Sequence, residues 1–114
     1  MSYKVYGIKT CNSVRSALKF FKDNNIEVEF CDLRKETPAS DVIKNWVDKA
    51  GIDTVFNNKG AKYRDLKLKE LNLDDEGKFE WLCKEPMLVK RPVVIHNENV
   101  TVGFKEDIYK ETFL

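Results

Sequence analysis

Apolar residues recur along the chain in two rhythms, and the switches between them mark out its elements. Tyr3 to Ile8 is short, β-prone and apolar at alternate places, the pattern of a strand. From Val14 the apolar positions Val14, Ala17, Leu18 and Phe21 fall at i, i+3, i+4 and i+7, one face of a helix. Asp23-Asn24-Asn25 stops that helix. Ile26, Val28 and Phe30 then alternate with Glu27, Glu29 and Cys31, so Ile26 to Leu33 reads as a second strand. A helical crossover of this length makes the two strands parallel neighbours in one βαβ unit.

Thr37-Pro38 with Ser40 and Asp41 opens a further helix. Val42, Ile43, Trp46, Val47 and Ala50 form its stripe, and Gly51 closes it. Leu66, Leu68, Leu71 and Leu73 follow in short, broken pieces. Phe79, Leu82 and Cys83 share a face of another helix that ends before Pro86. Val93 to Ile95 is a buried-strand run, His96-Asn97-Glu98-Asn99 a turn, and Val100 to Val102 the return strand of a hairpin. Lys105 to Phe113 reads as a last helix, with Ile108, Tyr109 and Phe113 available for packing. The order predicts an α/β fold: a thioredoxin-like, mixed four-stranded sheet built from a βαβ half and a ββα half. The first and last helices cover it, and a helical subdomain at about 38–88 is inserted between the halves. Residues 1–114 are expected to form one domain.

Composition narrows the function classes. Twenty Lys+Arg against 19 Asp+Glu give a net charge of +1, which offers no bulk electrostatic case for direct nucleic-acid binding or an anionic membrane. Three cysteines, at 11, 31 and 83, do not make a disulfide framework. "MSYKVYGIK" has no basic head before an apolar signal core, and no apolar run approaches the ~18 residues that span a bilayer. The expectation is a cytoplasmic protein with reduced thiols.

The candidate chemistry lies in "YGIKTCNSVRSALKFF". Open sheets with parallel strands tend to hold ligand chemistry where a strand ends and the next helix begins, and Cys11 lies there. A thiol at a helix N-terminus faces unsatisfied backbone N–H groups and the positive end of the macrodipole, which favour thiolate. Lys9 and Arg15 add positive charge, and Asn12 and Ser13 supply polar groups in the first turn. Val14 stands where a Cys-x-x-Cys pair would have its second thiol, so a disulfide on Cys11 needs an outside thiol, or Cys31 or Cys83 moved close, to resolve it. Cys31, near a strand end, and Cys83, on an apolar helix face, read as packing. His96 reads as a surface turn residue, and no metal site is expected.

Arg91-Pro92 is the second informative pair. A proline before a buried strand marks an edge, a bend or a special peptide geometry, and X-Pro is the bond at which cis costs only about 0.5–1 kcal/mol. Arg91 brings a planar, permanently charged guanidinium suited to an oxyanion or carboxylate.

Together, "YGIKTCNSVRSALKFF", "KGAKYRDL" and "MLVKRPVVI…VTVGFKED" resemble the ArsC/Spx family over nearly the whole chain. This family comprises glutaredoxin-dependent arsenate reductases and thioredoxin-fold relatives that include the Spx transcriptional regulators. The resemblance implies that Cys11 is the catalytic thiol, that Arg91 holds the oxyanion, and that Pro92 is cis. It also implies two further arginines around the anion. Asn58 followed by Lys59, and Phe104, stand at those places here. Each lost charge-assisted hydrogen bond is worth about 1.5–3 kcal/mol, so two would weaken oxyanion binding by roughly two to four orders of magnitude, with Lys59 able to recover part. The Cys-x-x-Cys switch common among Spx regulators is broken by Val14.

The expected function is an arsenate reductase-like thiol oxidoreductase. Cys11 reacts with a small-molecule thiol adduct, disulfide or oxyanion, and an external thiol such as glutathione or glutaredoxin resolves it. Arg91, Pro92, Asn12, Ser13, Lys9 and Lys59 are expected to bind the substrate or anion. Glutathione is a co-substrate in this reading, and no cofactor stays bound. The alternative is an Spx-like regulatory adaptor that binds RNA polymerase without catalysis.

Overall fold

In the computed structural model, residues 3–114 are described. They divide into two compact units. One runs up to Asp32 and resumes over Arg91–Leu114; the other is Leu33–Lys90.

The first unit is a four-stranded sheet with two helices. Strand β1 (Tyr3–Gly7) leads into helix α1 (Asn12–Asp23), which returns to β2 (Glu29–Asp32); β3 (Val93–His96), β4 (Asn99–Val102) and α6 (Glu106–Phe113) complete the unit. The strand order is β2-β1-β3-β4. β1 pairs parallel with β2 and antiparallel with β3, and β3 pairs antiparallel with β4. This is the expected thioredoxin-like mixed sheet.

β2 is shorter than the alternation of Ile26 to Leu33 predicts. Helix α1 ends with Asn25 at φ 58, and the N–H of Ile26 donates back to the Phe21 carbonyl at 2.8 Å. That helix-terminating hydrogen bond claims a donor the strand pattern assigns to the sheet. A second correction concerns His96. It is not a turn residue: it pairs with Tyr3 and Asn99, and only Asn97 and Glu98 turn, with Asn97 at φ 56. The His96 ring stacks on Tyr3, centroids 4.0 Å apart and planes 7° apart, so cross-strand packing holds it half-buried.

Val5 and Val94, opposite one another across β1 and β3, form the floor of an aromatic core. Ala17, Phe20 and Phe21 of α1 and Tyr109 of α6 pack onto it, with Phe104 and Phe113 at its margin. Tyr109 is fully buried, and its hydroxyl donates to the Gly103 carbonyl at 2.7 Å. The N–H of Gly103, which sits at φ 84, donates in turn to the Pro92 carbonyl at 2.8 Å. A single glycine thus ties α6 to the loop that opens β3.

The other close contact lies between β1 and α1. A Cβ placed on Gly7 would come 2.6 Å from Cγ2 of Val14 and 3.1 Å from Cγ1. Val14 is fully buried, and a β-branched side chain in a helix has little rotamer freedom with which to retreat. Gly7 lets the helix start this near to the strand.

The second unit is helical. α2 (Ser40–Ala50) buries Ile43 and Trp46 and ends at Gly51, φ 93. α3 (Ile52–Val55), α4 (Ala61–Asp65) and a 3-10 turn (Leu68–Leu71) follow. α5 (Asp75–Lys84) starts where Asp74 accepts from the Gly77 N–H at 2.8 Å, and a second 3-10 turn spans Pro86–Leu88. Phe56 bridges to Val89, flanked by Asn57 N–H to Leu88 O at 2.8 Å and Lys90 N–H to Val55 O at 2.7 Å. No helix of the described residues is long and apolar enough to cross a membrane.

Two outcomes follow from these contacts. Gly7→Ala is expected to lower stability by about 1–3 kcal/mol through overpacking. Combined with Val14→Ala, it should cost less than the two single changes added together, read from urea unfolding as a double-mutant cycle; additive costs would show that the contact is not shared. Tyr109→Phe removes the donor to Gly103 O and should cost about 1–2 kcal/mol near pH 7. Burial pushes the Tyr109 phenol well above its ordinary value. Its contribution is therefore full below the unfolded pKa of about 10 and is lost as pH rises beyond it. Thermal unfolding should show the gap between wild type and Tyr109→Phe narrowing above pH 10, and a constant gap would contradict this.

Candidate functional site

Cys11 is the N-cap of α1, with extended backbone at φ −84 and ψ 126. Its N–H donates to the Ile8 carbonyl at 3.2 Å and its carbonyl accepts from the Arg15 N–H at 3.0 Å. These two bonds fix the residue between strand and helix while the side chain stays half-exposed. The Cys11 side chain takes no capping hydrogen bond from the first turn, and that turn carries no acidic residue. The field at the thiol is therefore that of an uncompensated helix N-terminus. Arg15 strengthens it: its Nη2 donates to the Asn12 Oδ1 at 2.7 Å, which keeps the guanidinium on the first turn.

The sheet brings the second motif to the same end. Tyr6 pairs with Val93, so Arg91 and Pro92, which precede Val93, lie beyond the end of β1 from which the chain runs on to Cys11. The Arg91-Pro92 peptide is cis, as expected. Arg91 is half-buried with its Nε inside the protein. The Pro92 carbonyl is occupied by Gly103 N–H, which fixes the loop from behind.

The other sequence candidates distribute unevenly. Asn12 and Ser13 are exposed in the first turn of α1. Lys9 is exposed, with Nζ 5.6 Å from the centroid of the Phe30 ring, a cation–π placement over β2. Phe104, two residues beyond β4, packs edge-on against Tyr109 with centroids 4.7 Å apart, so it joins the aromatic core where the resemblance implies a cation. Asn58 and Lys59 belong to the helical unit, in the exposed turn before α4. The Lys59 N–H donates to Asn57 Oδ1 at 3.0 Å, and its carbonyl accepts from Arg64 Nη1 at 2.9 Å.

Cys31 and Cys83 are half-exposed, yet both thiols are held above their ordinary pKa. Burial is the main cause for each; at Cys31 the nearby Glu29 carboxylate adds to it, its Oε2 3.7 Å from the sulfur. Both stay largely protonated at neutral pH. Among the described residues, no group of three or more His, Cys, Asp or Glu is placed to hold a metal ion.

Two positions that support the site, Gly7 and Gly103, were missed in the sequence, and Tyr109 was read there as packing without its hydrogen bond. The two glycines sit at strand ends, in "VYGI" and "TVGF", where a glycine signals a close approach or a positive φ. Tyr109 carries no such signal, because its hydrogen bond is made across the fold.

The model of the ArsC family matches residues 6–112. YusI of Bacillus subtilis, an uncharacterized protein, is 34% identical over 99% of both chains. A Staphylococcus aureus COL protein of known solution structure is 40% identical over 98% of both chains, TM-score 0.81. The solved YFFB protein is 27% identical, covering 99% of this chain and 100% of its own, TM-score 0.92. More distant relatives carry functional names: an arsenate reductase of Neisseria meningitidis, 25% identical over 88% of each chain, and the global transcriptional regulator Spx of Listeria monocytogenes, 25% identical over 90% of this chain and 80% of its own. The lone thiol at the start of α1 and the Arg-Pro loop at the same end of the sheet sit in a chain matched almost throughout, and the chain belongs to the ArsC family.

Proposed function

We propose that this chain is a single-thiol oxidoreductase, arsenate reductase-like in architecture, whose Cys11 thiolate exchanges with a glutathione mixed disulfide or a related small disulfide. The observation that carries this reading is Cys11 at an uncapped helix N-terminus, at the same sheet end as Arg91 and the cis Pro92. In the first step the Cys11 sulfur attacks one sulfur of the disulfide. A new S–S bond forms to Cys11, the old S–S bond breaks, and the second sulfur leaves as a thiolate. An external thiolate, from glutathione or glutaredoxin, then attacks the mixed disulfide and releases Cys11 as thiolate; the external thiol is oxidised and the substrate disulfide reduced. Arg91 orients a carboxylate of the glutathione moiety, and the N–H groups of Asn12 and Ser13 face the developing negative charge. The packed Phe104 argues against a strong oxyanion site and favours a disulfide over arsenate. The cytoplasm, with its glutathione pool, is the compartment this cycle requires.

A second reading, a regulatory adaptor that binds RNA polymerase, is supported by the packed Phe104, which leaves the anion site without an expected cation, and by a relative named as a regulator. One set of assays separates the two. Turnover of a glutathione mixed disulfide with glutathione and glutaredoxin should exceed turnover of arsenate. Cys11→Ser should abolish it, and Arg91→Ala should lower kcat/KM by about 10- to 100-fold. Absence of turnover with either substrate, together with capture of polymerase subunits by wild type and Cys11→Ser alike, would replace the enzyme with the adaptor.

A further inference from the structure

The helical unit carries a basic surface of its own, of which only Lys59 was an expected partner of the Cys11 site. Between Asn58 and Leu71 the sequence places five cations, Lys59, Lys62, Arg64, Lys67 and Lys69, against Asp65 and Glu70. That local excess of three stands in a chain whose net charge is only +1. Lys59, Tyr63, Arg64, Lys67, Lys69 and Glu70 line an open cleft of about 380 Å³. Lys59, Lys67 and Lys69 enter no ion pair among the described residues.

The same segment exposes apolar side chains. The large exposed hydrophobics of the described chain are Leu66, Leu71, Ile108 and Leu114, and the first two, 37% and 55% exposed, bracket Lys67 and Lys69 along the chain. Their display is built into the backbone. Leu68 is buried and pins the 3-10 turn, while Lys67 at φ 55 and Asn72 at φ 48 reverse the chain at either end of it. Tyr63 forms an aromatic wall held edge-on against Phe56, centroids 5.8 Å apart.

We infer that this face docks an acidic segment of a partner protein that carries apolar side chains among its carboxylates. The cations supply attraction and register, and Leu66, Leu71 and the Tyr63 ring supply apolar contact that water-exposed ion pairs alone do not give. A phosphodiester backbone would satisfy the lysines and leave both leucines without a counterpart, so charge and hydrophobic pattern together select a protein. Lys59 apart, the residues of this surface have no part in the reading of Cys11.

Fluorescence anisotropy with a labelled peptide of Glu, Asp and Leu tests it, beside a peptide with Ser in place of Leu and a duplex DNA of equal charge. The Leu-containing peptide should bind most tightly and weaken with added salt. The double variant Lys67→Glu/Lys69→Glu should lose at least about 10-fold in affinity, and Leu71→Ser several-fold. The charge-reversed variant should in turn bind a peptide of Lys and Leu, which shows that it is folded. Binding indifferent to the charge reversal, no binding by wild type, or DNA held more tightly than the acidic peptide would overturn the proposal.

Discussion

Val14 lies against the bare backbone of Gly7, closer than any Cβ on that glycine would allow, and the geometry of the thiol descends from this contact. With the strand end and the helix start pressed together, only four residues, Ile8 to Cys11, connect them, and Cys11 falls on the N-cap. The residue that closes the junction is also the one that occupies the place of a second thiol. Val14 is at once core packing and the reason that the site has one sulfur. The proposed chemistry, with resolution by an outside thiol, rests on packing as much as on the cysteine itself.

The far side of the site is held by a different kind of bond. Tyr109 reaches from the aromatic core to Gly103 O, and Gly103 N–H holds Pro92 O, so the Arg91-Pro92 loop is attached to the core through one glycine. Phe104, the next residue, is drawn into the same core against Tyr109. A position at which the family resemblance implies a cation is thus used to complete hydrophobic packing. Of the three arginines that the resemblance implies around the anion, only Arg91 is present, and the proposed ligand is accordingly a carboxylate on an extended molecule and not a small oxyanion that needs several donors.

The strands, the first helix and the mixed sheet were legible because their signals are local: period two in Tyr3 to Ile8, period 3.6 from Val14 to Phe21, and a hairpin around Asn97. The same locality explains the misses. The alternation of Ile26 and Val28 reads as strand, but the Ile26 N–H is taken by the end of α1. His96 beside Asn97 reads as turn, but its ring is stacked on Tyr3, a neighbour that only the sheet register supplies. Cys11, Arg91 and Pro92 could be singled out because each sits at an element boundary with a residue type that means something there. The tie between Tyr109 and Gly103 could not, because it is a contact between α6 and the β4 exit that no short stretch of sequence contains.

The central claim is that one of the three thiols, placed by the junction of β1 and α1, does the exchange chemistry. The most direct measurement is peptide mapping of the reduced protein after brief exposure to glutathione disulfide at neutral pH. The account predicts one glutathione adduct, on Cys11, removed again by free glutathione, with Cys31 and Cys83 unmodified because burial keeps both protonated. An adduct found first on Cys31 or Cys83, or a Cys11 that stays unmodified, would contradict it.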